Sequence, residues 1–561
     1  MSEYLKLKKS NCKNCYKCIR HCPVKSIRFA DNQAMIVEDE CILCGQCFVA
    51  CPQGAKEIRN DIGIAKGLIA SGLPVYASVA PSFTANYEGI NLATLEAALK
   101  KLGFAGAEET AVGATDVKMQ YDRMVDEEKQ SVIISSCCHS VNLLIQKHFP
   151  EALPYLAPVV SPMQAHGLSL KKRHEGAKVV FIGPCISKKD EATRYPDAVD
   201  CVLTFEELSE WLSGDGVVLE KTEDKESGGK ARFFPTSGGI LKSMECRNND
   251  YTYLTVDGLE NCINAIKDVI SGNLDNCFIE MSACVGSCVG GPAMDKGRTA
   301  PVRGYSYVSR YASAAKGRDF EVEAPVAAET GKSFAMLGTS KTMPGSAAID
   351  EILKKMGKTS PEQELNCGSC GYNTCREKAV AVLNGKADLS MCLPYLKEKA
   401  ETFSETIIQN TPNGIVVLNE SLEVQQINRS AKRLLNLDKG TNIIGDLVVR
   451  VLDPLPFFEV LQSGVNVHDK RVYLAEYDRY VEQTIIYDRS YHILMCIMRD
   501  ITDEEQIRHK RENLSKNTIE TTDKVIEKQM RVVQEIASLL GETAAETKIA
   551  LSKLKESLMN D

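Results

Sequence analysis

Two stretches near the amino terminus, CKNCYKCIRHCP (residues 12–23) and CILCGQCFVACP (41–52), repeat the spacing C-x2-C-x2-C-x3-C-P. A cubane 4Fe-4S cluster needs one thiolate at each of its four iron corners. A tight loop supplies three of them, and the fourth comes from the other repeat. Cys12, Cys15, Cys18 and Cys51 therefore make one ligand set, and Cys41, Cys44, Cys47 and Cys22 the other. Zinc is the competing metal, but its four-thiolate motifs rarely carry this triple spacing followed by proline, and here it occurs twice.

The whole chain holds 22 cysteines in 561 residues. Seventeen lie in tight groups or recurring contexts, while Cys201, Cys246, Cys262, Cys277 and Cys496 stand alone and read as buried small hydrophobes. The opening MSEYLKLKKSNCKNC has no apolar signal core and no small-residue cleavage site, so a cytoplasmic location is expected. Thiols kept reduced there serve metals or redox chemistry rather than disulfides. No apolar run reaches the ~18 residues of a membrane helix, which argues against a membrane partner. A net charge of -8 gives no electrostatic case for nucleic acid. The length is too great for one core and suggests three to five domains.

From residue 61 to about 355, short apolar strands alternate with helical patterns, as in an α/β layered domain. PVYASVAPS, SVIISSCC, KVVFIGPC and NCFIEMSAC share one layout, and the last three run straight into cysteine. Ligands of open α/β sheets sit beyond the carboxyl ends of strands. Three strand ends could thus bring Cys138, Cys185, Cys284 and Cys288 to one buried cluster. The pair Cys137–Cys138 poses a question, because neighbouring side chains on an extended segment point to opposite sides and a vicinal disulfide is strained.

Residues 1–60 resemble a bacterial two-cluster ferredoxin. SSCCHSV, PCISKKDE and EMSACVGSCVGG resemble the three signature motifs of iron-only (FeFe) hydrogenases, and the resemblance extends to about residue 310. It implies a two-lobed α/β domain that holds an H-cluster: a 4Fe-4S cubane bridged by one cysteine to a two-iron unit with CO, CN and a bridging dithiolate. By motif position Cys138, Cys185, Cys284 and Cys288 would bind the cubane, with Cys288 as the bridge. Cys137 would be the proton-relay thiol. Lys188 would donate a charge-assisted hydrogen bond to cyanide, with Glu191 paired to a nearby cation. VAPSF makes Pro81 and Ser82 contacts of the cofactor, and PTSGGI resembles a turn that lines the core.

Departures from the prototype are equally informative. Gly183 and Ser282 stand where prototypical members have methionine, and Ser282 is expected at the cofactor. Motif one continues with His139, Ser140 and Val141 in place of proline and tryptophan. His139 reads either as a proton carrier or as a structural histidine. An ungapped alignment from Gly113 places Gln120 and Met124 where acidic relay residues would stand. A weakened proton path, an altered cluster environment and slow turnover are expected.

CGSCGYNTC with Cys392 gives C-x2-C-x4-C-x16-C, so Cys367, Cys370, Cys375 and Cys392 read as ligands of a third 4Fe-4S cluster, or of zinc. Residues 403–503 turn to strand alternation, and the order of QQINRSAKRLL and a closing Asp500-Ile501-Thr502 resembles a PAS α+β domain. His468 and His492 are weak candidates for haem ligands. Beyond Asp503, Met530, Ala537, Ala544, Leu551 and Leu558 alternate with Val533, Leu540, Thr547 and Leu554 in an a/d heptad pattern. This reads as a coiled coil that binds itself or a partner, or as a helix packed on its own domain.

The expected chain is thus α/β multidomain: ferredoxin-like 1–60, H-cluster domain 61–355, small four-cysteine Fe–S domain 356–402, PAS domain 403–503 and a signalling helix 504–561. Its expected partners are H2 and protons, a redox protein such as ferredoxin, a separate kinase or phosphatase, and a second copy of itself. A metabolic hydrogenase and a non-enzymatic Fe–S scaffold are the competing functions.

Overall fold

The computed structural model describes residues 3–8, 11–30, 32–220, 229–246, 248–294, 301–314, 317–322, 331–339, 342–437 and 441–558. It divides into two compact units, Met1–Leu396 and Lys397–Asp561.

In the first unit, β1 (Leu5–Leu7), β2 (Ile27–Ala30), β3 (Gln33–Ile36) and β4 (Lys56–Ile58) form two antiparallel pairs, β1 with β4 and β2 with β3. The cysteine loops lie between them. Each repeat closes the same way: the Ser26 N–H donates to Cys22 Sγ and the Ala55 N–H to Cys51 Sγ, both at 3.3 Å.

Two parallel sheets follow. β5 (Val75–Val79), β6 (Gly106–Glu109), β8 (Lys178–Gly183) and β9 (Cys201–Thr204) are ordered β6-β5-β8-β9. β7 (Val132–Ile134), β10 (Thr252–Asp257) and β11 (Cys277–Ser282) are ordered β10-β11-β7. Strands covered on both faces read as continuous apolar runs, and β7 and β11 are buried along their whole length. Their register sets Ile134 beside Ile279, so SSCC and MSAC leave the second sheet side by side. Val79 pairs with Ile182, which sends APS and GPC off the first sheet together.

Ser346–Lys355, assigned by sequence to the end of the middle domain, belongs with the four-cysteine domain. Its Ile352 and Leu353 pack on Ala379 and Cys392. Among the lone cysteines, Cys201, Cys262, Cys277 and Cys496 are buried, but Cys246 is only half-buried, at a left-handed φ of 47°.

The second unit is a five-stranded antiparallel sheet. β12 (Gly414–Asn419), β13 (Val424–Ile427), β14 (Val467–Leu474), β15 (Arg479–Asp488) and β16 (Ile493–Asp500) are ordered β13-β12-β16-β15-β14. Alternate residues of β12 are buried, the pattern of a sheet with one face on a core. That core includes Val416, Phe457, Ile485 and Cys496. His468 and His492 are exposed, outside this core, and His492 pairs with Glu420. A single helix, Thr502–Leu558, runs for 57 residues. No helix among the described residues is long and apolar enough to cross a membrane.

Candidate metal centre and proton path

The carboxyl ends of β5, β8, β7 and β11 meet at a cavity of about 120 Å³. Cys138, Cys185 and Cys288 line it together with Cys137, Lys188, Pro81, Ser82 and Ser282. Cys284 completes the set, since the charges of Cys185, Cys138 and Cys288 all act on it. Burial pushes the Cys138, Cys284 and Cys288 thiols up, Cys288 to about 12. Thiols crowded in this way ionise only when a metal supplies the balancing charge. Phe234, Pro235 and Ile240 of the PTSGGI region close another side of the cavity.

No room exists at Gly183 for the methionine of the prototype. A Cβ there would stand 2.7 Å from the Phe181 ring, which itself lines the cavity.

The Lys188 Nζ donates to the Cys137 carbonyl at 3.1 Å and to the Glu191 carboxylate. Glu191 lies behind Lys188 rather than in the cavity wall, and it also accepts from Lys332 Nζ at 2.6 Å and Ser161 Oγ at 3.2 Å. Burial opposes its ionisation, but the two ammonium groups outweigh burial and hold its carboxyl well below the usual range. Lys332 is itself buried, donates to Gln164 Oε1 at 2.8 Å and packs over the Tyr195 ring.

Cys137 points away from the sulfur set. Its Sγ meets the Tyr121 hydroxyl at 3.2 Å, and that hydroxyl also accepts the Ser136 N–H at 2.9 Å. Burial pushes the thiol up to about 12, with Tyr121 and Lys188 pulling the other way. The helix Ala111–Glu127 thus reaches Cys137 through Tyr121, not through Gln120 or Met124. A second unforeseen group is Glu280 on β11, which lines the same cavity and acts electrostatically on Cys137. Burial raises its carboxyl to about 7 although it accepts the Leu241 N–H at 3.1 Å. An acidic residue inside the apolar run CFIEMS was the available signal.

His139 is buried and borders the cavity. Its Nε2 lies 2.7 Å from Asp190 Oδ2, which also accepts from Arg194 Nε at 2.6 Å. Because burial lowers the imidazole and Asp190 is held ionised, Nε2 donates and Nδ1 keeps a lone pair. Neither His139 Nδ1 nor Ser82 Oγ has a protein partner, and both residues face the cavity. Orphaned buried polar atoms beside a thiol set are what a cofactor bearing polar ligands would satisfy. The residues fit an H-cluster.

Cys22, from the first ferredoxin-like repeat, sits with the cysteines of the second. Cys47 is acted on by Cys44, Cys41 and Cys22, and Cys18 by Cys12 and Cys15. Gly45, at φ +72°, lets the second loop press on the middle domain, where a Cβ would fall 2.5 Å from Pro292 Cβ and 2.9 Å from Ile186 Cδ1. Next to it, Cys44 is one of the charges that act on Cys284. Cys367, Cys370, Cys375 and Cys392 line a single small cavity of about 20 Å³. Among the described residues, no group of three or more His, Cys, Asp or Glu closes around one ion.

Comparison with known proteins agrees with this geometry. The family model for the iron-only hydrogenase large subunit, C-terminal domain, matches residues 73–292, which contain both parallel sheets. A 4Fe-4S dicluster domain matches 4–52, and an Fe–S cluster family matches 363–394. Iron hydrogenase 1 of Clostridium pasteurianum is 23% identical over 282 residues, 40% of this chain and 49% of its own, so the chain spans about half the length of that relative. The periplasmic [Fe] hydrogenase large subunit of Nitratidesulfovibrio vulgaris is 24% identical over 301 residues, 43% of this chain and 70% of its own. A cytosolic Fe-S cluster assembly factor, NAR1 of Kluyveromyces lactis, is 35% identical over 83 residues, 14% of this chain and 18% of its own. Four cysteines on the ends of two parallel sheets, with an iron–sulfur entrance matched separately, make this chain an FeFe-hydrogenase-like protein.

Proposed function

We propose that this chain binds H2 and splits it slowly and reversibly to protons and electrons, and that its redox state is relayed to a separate regulatory protein. The observation that carries the reading is the space beyond the sulfur set. A bare cubane needs four thiols. Here the cavity continues past them to Cys137, Lys188 and the unpartnered Ser82 hydroxyl. An H-cluster bound there would supply a two-iron unit that polarises H2 and an amine that takes one proton. Lys188, steadied by Glu191, offers an ammonium to a cyanide-like acceptor. Cys137 stands where a proton would leave, and it hands on to the Tyr121 phenol. A buried phenol is a far weaker acid than a carboxylate, which slows the exit.

A second reading follows from the likeness to NAR1: an Fe–S scaffold without the two-iron unit. An infrared spectrum of the matured holoprotein separates the two. Bound carbonyl and cyanide bands that shift under H2 support hydrogen chemistry, and their absence leaves the scaffold. Turnover at the rate of a bulk hydrogenase would instead point to a metabolic enzyme. The regulatory half rests on the order of the domains, a PAS-type sheet followed by a long helix. Substitutions at the Asp500–Thr502 junction are expected to uncouple the partner's response from H2 while leaving hydrogen turnover unchanged.

A further inference from the structure

The chain order places the four-cysteine domain after the hydrogenase domain, yet it docks on the ferredoxin-like domain. Lys25 Nζ donates to the Gly371 carbonyl at 2.8 Å, and Arg20 Nη2 to the Ser369 carbonyl at 3.4 Å. The Phe29 N–H donates to the Lys386 carbonyl at 2.7 Å, and Lys386 forms a buried ion pair with Glu40. Tyr372, two residues past Cys370, shares a core with Ile19 and Cys22.

This docking brings cysteines of different sets within electrostatic reach of common groups. Cys22 and Cys370 both act on Lys25, and both act on Tyr372. On the far side of the same ferredoxin set, Cys44 acts on Cys284 of the hydrogen site. Lys56, whose Nζ donates to the Ala34 carbonyl at 2.8 Å, acts on Cys18 of the first set and Cys47 of the second. The Cys22–Cys41–Cys44–Cys47 set thus shares a charged neighbour, Lys56 or Lys25, with each of two other sets and acts directly on Cys284 of the third.

We propose that the Cys22–Cys41–Cys44–Cys47 cluster site is a three-way electron junction, and that Lys25 is a positioning residue whose charge tunes this site and the C-terminal four-cysteine site together. The proposal rests on the presence of clusters in these sites and, for its purpose, on the hydrogen chemistry proposed above. Splitting one H2 releases two protons to solvent and two electrons. Cubane carriers take one electron each, so the pair must part. A junction lets one electron move toward the first ferredoxin site while the other reaches the C-terminal site, each reducing one cluster. Lys25 is held on three carbonyls, those of Ile19, Arg20 and Gly371, so its charge stays between Cys22 and Cys370.

The test is electron paramagnetic resonance of the holoprotein reduced with dithionite, with potentials read by titration. Magnetic interaction between the C-terminal cluster and the second ferredoxin cluster is expected in the unaltered protein, and its loss in Cys370→Ala. Lys25→Met is expected to lower the potentials of both these clusters and leave that of the Cys12–Cys15–Cys18 cluster unmoved, while Lys25→Arg holds both near their original values. Absence of interaction in the unaltered protein overturns the junction, whatever the variants do. A Lys25→Met shift confined to one cluster, or found in neither, overturns the role of Lys25. Because dithionite supplies the electrons, the junction can stand even if infrared bands are absent and the hydrogen reading falls.

Discussion

Glu191 holds two ammonium groups at once, the half-buried Lys188 and the buried Lys332. Removing one partner of a buried ionic network leaves an uncompensated charge, at a cost of about 3–5 kcal/mol. Glu191→Gln is therefore expected to lower the melting temperature and to loosen Lys188, read as weaker cyanide-band intensity after maturation. The folded-state pKa of Glu191 is depressed, so its stabilising contribution is complete above the ordinary carboxylate range and is lost on acidification. Glu280 behaves in the opposite sense. Its carboxyl rises from 4.5 to about 7, so the folded state keeps a proton that the unfolded chain has released. Stability from this residue should fall as pH rises between these two values and level off above the upper one. Glu280→Gln should flatten that slope in melting curves recorded across the window, and an unchanged slope would remove Glu280 as its source.

At the level of elements, strand ends carry the site, and this was readable because a buried parallel strand followed by cysteine leaves a local signature. β5, β7, β8 and β11 lie where the apolar runs stand, and each ends within or just before a quoted motif. The partners that complete the site left no such signature. Lys332 reaches Glu191 across 141 positions from a stretch without regular structure, and Tyr121 meets Cys137 from the face of a helix whose register the sequence did not settle. Such meetings depend on tertiary packing, which no local pattern encodes. The histidine of motif one was left open between two roles, and the Asp190 pair makes it buried and neutral. Tyr121→Phe tests the helix-to-loop link. It strips the acceptor from the buried Ser136 N–H, for which a loss of about 1–3 kcal/mol is expected. Turnover should also fall, since the phenol that Cys137 touches is gone. Full turnover in this variant would show that protons leave by another way.

Across the whole molecule, the helix Thr502–Leu558 is the feature that a self-contained catalyst would not require. Its 57 residues span about 85 Å at 1.5 Å per residue. Val533, Leu540, Leu551 and Leu554 are exposed along it in the single chain. A long helix with such a stripe is stable in water chiefly when the stripe is covered. Light scattering of the full chain is expected to give a dimer, and the double substitution Leu540→Glu, Leu551→Glu a monomer; a monomer in the parent would dismiss the stripe as a self-interface. Gly45, wedged against Pro292 and Ile186, bears on timing. A glycine seated that tightly fixes the second cysteine loop to the middle domain, so a proposed electron transfer between them needs no swing of one toward the other. Under the proposed function, the slow step then lies in cleaving the H–H bond or in the downstream partner, not in a swing of the ferredoxin-like domain.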